Sequence, residues 1–281
     1  MARRKPNYIW RRAANAEWLS ANEIPLHEQT SGAYAVIERP RRKQLIVEAF
    51  CNTAYAGRGL HGSFGGSVSQ LATDWEARAF AAAKTKTLRI GRRLIVAGDE
   101  HDVTPGGSTA VLIIPAGAAF GTGEHATTAM SLRMLERVTR NLVRWRMLDA
   151  GTGSGILALA GRRFGAQKVA AVDNDPLAIS TAKENARRNN VPGIRFRVGD
   201  VAKQQRGTFD IISANLYSEL LIATLPLWRE KLRPGARLII SGVMRTQEAD
   251  LLRALRKHGY STHETRRRGK WIALLCSQKR S

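Results

Sequence analysis

Chemistry is concentrated first in Met147-Leu148-Asp149-Ala150-Gly151-Thr152-Gly153-Ser154-Gly155, an apolar run that ends in three glycines at alternate positions. Without Cβ atoms such a backbone lets a ligand approach closely, and a helix opening at Ile156 presents unpaired N–H groups beside it. Tight strand-to-helix turns of this kind occur throughout doubly wound proteins, so the spacing has to narrow the reading. A dinucleotide fingerprint requires glycine at 151, 153 and 156, and position 156 is Ile, which disfavours a pyrophosphate. Asp173 closes the next apolar run 22 residues after Gly151, where a carboxylate can take both hydroxyls of a ribose. Asp149 adds negative charge near the turn, which repels phosphate and favours a cationic methionine sulfonium. Together they point to a nucleoside carrying positive charge, S-adenosylmethionine, rather than NAD.

Further polar residues fall where such a ligand would lie. Asp200, in Gly199-Asp200 after the third run, either accepts from an adenine amino group or is a surface-turn aspartate. Asn215, in Ser213-Ala214-Asn215-Leu216-Tyr217, is placed at the carboxyl edge of a strand, where open α/β sheets bind ligands, or caps a helix. Upstream, Phe120-Gly121-Thr122-Gly123-Glu124-His125-Ala126-Thr127-Thr128 puts small and hydroxyl residues immediately before a helix, either to fold over a donor or to cap that helix. His125 and Glu124 are the nearest candidates for a general base, with local hydrogen bonding as the competing role. The six histidines do not cluster with Cys or acidic residues in ligand-like spacing, so no metal is expected.

The elements that must position these residues follow from periodicity. From residue 109 onward short apolar runs at 110–114, 147–150, 168–173, 194–198, 209–214, 237–242 and 271–276 alternate with helical stretches at 127–139, 155–164, 176–189, 217–231 and 246–258. That alternation predicts βα units around a mostly parallel sheet. Before it, a strand near 8–10, a helix near 15–21 and a hairpin of 33–38 with 45–50 predict a small α+β module. The five glycines of 57–66 lack a Gly-Lys-Ser/Thr ending and read as a flexible connector rather than a phosphate cradle. Residues 68–84 carry helical spacing, and 87–92 with 93–97 suggest another hairpin turning near Gly91.

A chain of 281 residues is long enough for one large domain and a smaller one. It has no run of about 20 apolar residues and no signal-peptide core, which leads us to expect a cytoplasmic protein. Cys51 and Cys276 are too few and too far apart for a disulfide framework. The net charge of +22 favours anionic partners such as RNA. Residues 106–281 carry 29 Lys/Arg against 13 Asp/Glu, whereas residues 1–105 carry 16 against 10, so the excess lies with the motifs. The Arg266-Arg267-Arg268-Gly269-Lys270 run is either a solvated turn or an RNA-facing patch.

From about Pro115 onward the chain resembles the ribosomal protein L11 methyltransferase family, through PAGAAFGTGEHATT, LDAGTGSGILALA, VDNDPLAISTAKENARRNNV, FDIISANLYSEL, LRPGARLIISGV and KWIALL. The resemblance implies a Rossmann-like class I methyltransferase domain with a mostly parallel seven-stranded sheet. It also implies a small N-terminal α+β substrate-recognition domain joined by a linker helix, giving 1–66, 67–105 and 106–281 as the expected division. It implies donor contact by Thr128, Gly151, Asp173 and Asn215, with Gly153 and Gly155 in the same turn. The expected activity is protein N-methylation of L11, free or ribosome-bound, with Asn215 and His125 as candidate catalytic positions. The same block also resembles enzymes that methylate lysines of other proteins. An RNA methyltransferase is the second reading, although Asn215 is followed by Leu-Tyr-Ser rather than by the Pro-Pro-aromatic sequence frequent in nucleic-acid amino methylators. A non-catalytic, ribosome-associated binding module is the third.

Overall fold

A computed structural model describes residues 7–30, 34–38, 44–72, 87–103, 109–115, 125–203 and 207–279. The chain divides into two compact units, Met1–Ala79 and Phe80–Ser281.

In the first unit, β1 (Tyr8–Ala14), β2 (Tyr34–Glu38), β3 (Leu45–Cys51) and β4 (Ser67–Gln70) form an antiparallel sheet in the order β2-β3-β1-β4. Helices α1 (Ala16–Thr30) and α2 (Ala54–Phe64) complete it. The predicted strand, helix and hairpin are all present, but two expectations fail here. The glycine-rich connector is helix α2: the Thr53 side chain caps it by accepting from Ala56 N–H, and Leu60 and Phe64 bury one turn apart with Trp10. Burial of that face outweighs a cost of about 1 kcal/mol for each helical glycine. Gly57 also admits Val68, whose Cγ1 would lie 2.7 Å from a Cβ at that position. The second failure is the helix expected over residues 68–84, which begins as strand β4 on the edge of β1; residues 73–84 lie outside those described.

The second unit is built on a seven-stranded sheet in the order β10-β9-β8-β11-β12-β14-β13. Its strands are β8 (Arg146–Ala150), β9 (Lys168–Asp173), β10 (Ile194–Val198), β11 (Phe209–Asn215), β12 (Leu232–Met244), β13 (Tyr260–Arg268) and β14 (Trp271–Gln278). All neighbours are parallel except those of β14, which runs antiparallel to both β12 and β13. The helices are α3 (Ala126–Val138), α4 (Ile156–Arg163), α5 (Pro176–Arg188), α6 (Ser218–Lys231) and α7 (Glu248–Lys257). Strands buried on both faces read as continuous apolar runs, which is why 147–150 and 209–214 were legible.

The sheet also corrects the expected strand set. Residues 110–114 do not join it: β7 (Ala110–Ile113) pairs parallel with β6 (Leu94–Ala97), which forms the expected hairpin with β5 (Leu88–Ile90) across Gly91. Two polar clamps hold this small sheet. Arg93 donates to the carbonyls of Glu136 and Phe164 at the ends of α3 and α4, and Asn189 exchanges hydrogen bonds with the backbone of Ile113. The seventh place is taken by β13, whose Thr-His-Glu-Thr-Arg-Arg-Arg sequence has a polar solvent face.

Gly242 occupies a bulge in β12, where the register with β14 shifts between Ser241 and Val243, and its φ is 90°. A Cβ there would meet the Leu216 carbonyl oxygen at 2.3 Å. Gly235 has a similar φ of 78° but open space around it. Chemical denaturation should therefore show Gly242→Ala losing about 3 to 4 kcal/mol, conformational strain plus overpacking, and Gly235→Ala losing about 1 kcal/mol. Equal losses would remove the close approach from the explanation.

Candidate active site

Strand β8 is the switch point of the sheet, because the chain adds β9 and β10 on one side of it and β11 and β12 on the other. Ligands of open α/β folds bind at the carboxyl ends of the strands beside such a point. The glycine turn follows β8, with Gly151, Gly153 and Gly155 all at positive φ (73°, 52° and 82°). Gly151 and Thr152 donate their N–H groups to the carbonyl of Val172, lashing the turn to β9. Gly155 starts α4 in the left-handed region, and a Cβ there would press on Ala182 of α5 at 2.9 Å. At Gly151 a Cβ would meet Leu216 Cδ2 at 2.3 Å. Leu216 thus sits against both Gly151 and Gly242.

Asp173 ends β9 and accepts from Gly153 N–H at 2.9 Å with Oδ2 and from Asp175 N–H at 3.1 Å with Oδ1. Each oxygen keeps a second lone pair for a ligand hydroxyl. The carbonyl of Asp173 accepts from Gly199 N–H, bringing the Gly199-Asp200 turn beside the same strand end. Asp200 is exposed and accepts from Ala202 N–H at 2.8 Å, the turn geometry that was the alternative to an adenine contact.

Asn215 ends β11, and its Oδ1 is buried without a hydrogen-bond partner. Thr128, in the first turn of α3, is 1% exposed, and its Oγ1 is likewise buried and unpartnered. Helix α3 packs on β11, β12 and β14. A buried polar atom left unpaired costs about 1 to 3 kcal/mol; among the described residues Arg12 Nε, Trp145 Nε1 and Trp228 Nε1 are the other such side-chain atoms. Thr128, Gly151, Gly153, Asp173, Asp200 and Asn215 therefore belong to strand ends and helix starts grouped around one edge of the sheet, and they suit a nucleoside bearing an amino acid.

His125 caps α3 with its backbone, its Nδ1 is 2.7 Å from Thr127 Oγ1, and its ring meets Trp271 edge-on at 5.0 Å. Burial, with help from the Lys270 charge, holds its pKa below the usual imidazole value, so the ring is neutral near pH 7. Glu124 and the rest of 116–124 lie outside the described residues. Among the described residues no three His, Cys, Asp or Glu side chains gather as a metal site would.

Asp149 has a different place from the one its charge suggested. It is 1% exposed, accepting from Ser213 Oγ at 2.5 Å and Thr152 Oγ at 2.7 Å, so it braces the turn from inside. Asn185, which no motif marks, donates from α5 to the Ser154 carbonyl and braces it from the other side.

Burial pushes the Asp149 carboxyl up to about 6 against the opposing pull of the two hydroxyls. Between about pH 4 and 6 the folded chain then holds a proton that the unfolded chain has released. This group's stabilising effect is greatest below about pH 4 and falls by about 3 kcal/mol as the pH rises through 6. Relative to the parent, Asp149→Asn should gain about 3 kcal/mol of unfolding free energy across that window in paired denaturant titrations. A difference independent of pH would mean that the carboxyl stays ionised throughout.

The chain matches the family model for ribosomal protein L11 methyltransferase (PrmA) over residues 33–279. The ribosomal protein L11 methyltransferase of Pelotomaculum thermopropionicum is 37% identical over 195 residues, covering 69% of this chain and 63% of that protein. That of Deinococcus radiodurans is 38% identical over 200 residues, covering 69% of this chain and 71% of that protein. The match thus spans a little under two thirds of the Pelotomaculum relative's length. Among solved structures, the ribosomal protein L11 methylase of Lactobacillus delbrueckii subsp. bulgaricus superposes with a TM-score of 0.64 at 28% identity, over 70% of this chain and all of that one. The switch-point turn, the strand order and a match through nearly the whole of the second unit agree, and the chain belongs to the ribosomal protein L11 methyltransferase family.

Proposed function

We propose that this chain is an S-adenosylmethionine-dependent protein N-methyltransferase of the cytoplasm that methylates lysine or other amino groups of ribosomal protein L11, free or ribosome-bound. The observation that carries the reading is the pair of buried, unpartnered oxygens, Thr128 Oγ1 in the first turn of α3 and Asn215 Oδ1 at the end of β11, the strand next to β8 and its glycine turn. The relatives, ribosomal protein L11 methyltransferases by name, support the choice of acceptor. The N-terminal segment 1–66 is assigned to substrate recognition, 67–105 to a connection and 106–281 to catalysis.

The donor supplies a methyl group on a cationic sulfur. Gly151, Gly153 and Gly155 give it backbone access, Asp173 takes the ribose hydroxyls, Asp200 the adenine edge, and Thr128 and Asn215 the polar groups between. Transfer requires an uncharged nucleophile in line with the breaking bond. An amine of ordinary pKa about 10.4 loses its proton at a cost of about 4 to 5 kcal/mol near pH 7. A dry site next to positive charge lowers that cost. Asn215 Oδ1 orients the amine as an acceptor, and neutral His125 stands by as a proton acceptor at the start of α3.

Calorimetry tests the donor site. Thr128→Val and Asn215→Ala should each weaken S-adenosylmethionine binding by about tenfold, the value of one hydrogen bond. Thr128→Val should not lower the melting temperature, because it removes an unpaired polar atom; unchanged donor affinity would remove both residues from the site. Mass spectrometry of purified L11 incubated with enzyme and donor tests the acceptor. Added methyl groups on amines are expected, whereas an unmodified L11 beside a methylated RNA or other protein would reassign the substrate.

A further inference from the structure

Arg133 and Arg137 lie one turn apart on α3, and Arg140 follows in the same line. Strand β13 faces them with alternate residues. Glu264 pairs with Arg137 and, at 2.7 Å, with Arg266. Arg268 is next on that side, while Arg267 points the other way and pairs with Glu248 of α7. Glu136, almost wholly buried, is held by Arg140 at 2.8 Å. Five guanidinium groups thus share two carboxylates, and among the described residues neither Arg133 nor Arg268 has an acidic partner. Lys270 extends the line, its Nζ 5.6 Å from the centroid of Trp271, whose ring touches His125 at the start of α3. The stripe therefore ends at the candidate active site.

Holding like charges together on the fold is unfavourable unless something compensates. Arg133 and Arg137 are both pushed below the usual guanidinium pKa, by partial burial first and by neighbouring arginines second. The charges recur about every 6 Å along the helix and about every 6 to 7 Å along the strand. A series at that interval suits a repeating polyanion better than a lone phosphate. Its exposed groups are guanidinium forks, which match phosphate, rather than the aromatic and apolar anchors of a protein interface.

We propose that the stripe formed by Arg133, Arg137, Arg266, Arg268 and Lys270 is an RNA-binding surface that tracks a phosphate backbone toward the methyl-transfer site. This rests on reading the basic surface as RNA-facing, and it is independent of which acceptor is methylated.

Fluorescence anisotropy of a labelled single-stranded RNA of about 16 nucleotides, without donor or protein acceptor, tests it. The double variant Arg133→Gln/Arg268→Gln should bind about tenfold more weakly and reduce the slope of log K against log salt by about 1.4, two phosphate contacts. Removing the same charge from α5 with Arg187→Gln/Arg188→Gln should change affinity less than about threefold. Donor affinity should be unchanged in both, so failure of the donor site and failure of this surface are read separately. If the first variant melts early, Arg268→Glu at the exposed strand end replaces it and should also weaken RNA binding. Equal losses in the α3/β13 and α5 variants would reduce the effect to net charge and overturn the proposal. So would unchanged RNA affinity, or a loss confined to polyglutamate or anionic vesicles probed in parallel.

Discussion

The buried carboxyl of Asp149 is the point from which the carboxyl edge of the sheet is built. It lies next to the end of β8 and accepts hydroxyl hydrogens from Ser213 on β11 and from Thr152 in the glycine turn, so one group ties together the two halves of the sheet where they diverge. With the turn held, its N–H groups reach Val172 and Asp173, and the Asp173 carbonyl in turn fixes the Gly199-Asp200 turn. Each contact is worth about a kilocalorie, but they act in series on one short backbone segment. Desolvating the carboxyl works against stability at neutral pH, and what it secures is geometry. A neighbouring strand and the turn itself cannot drift independently while both hydroxyls share one acceptor.

Much of the second unit was legible because its signals are local. The apolar runs of β8, β9 and β11, buried on both faces, announce themselves without reference to partners, and the Gly151, Gly153, Gly155 spacing is fixed by one turn. What could not be read were pairings made at long range. β7 has the composition of a central strand, yet it adds to β6, because Arg93 and Asn189 clamp that small sheet against helix ends far along the chain. β13 was hidden for the opposite reason: its alternate arginines answer α3 and α7 rather than an apolar core. α2 was obscured by glycines whose purpose, at Gly57, is close passage of Val68.

The same distinction runs through the site. Residue type and position along the chain were enough to place Asp173 and Asn215 at strand ends. They were not enough to show that Asp149 faces inward, or that Asn185 and Leu216 shape the turn from behind. Nor does any sequence pattern report that Thr128 and Asn215 leave an oxygen without a partner. That is a property of the assembled packing.

Strand β14 lies between β12 and β13, although β13 precedes it in the chain. During synthesis β13 has no edge to join until β14 has been made, so the sheet closes from its last-made strand outward. Glu264 and the arginines beside it then arrive against α3 only at that final step. Arg137 of α3 spends the whole of elongation without Glu264, and the insertion of one antiparallel strand doubles as the event that completes this charged face. A chain stalled before β14 would leave β12 with an open edge and Arg137 without Glu264 against it.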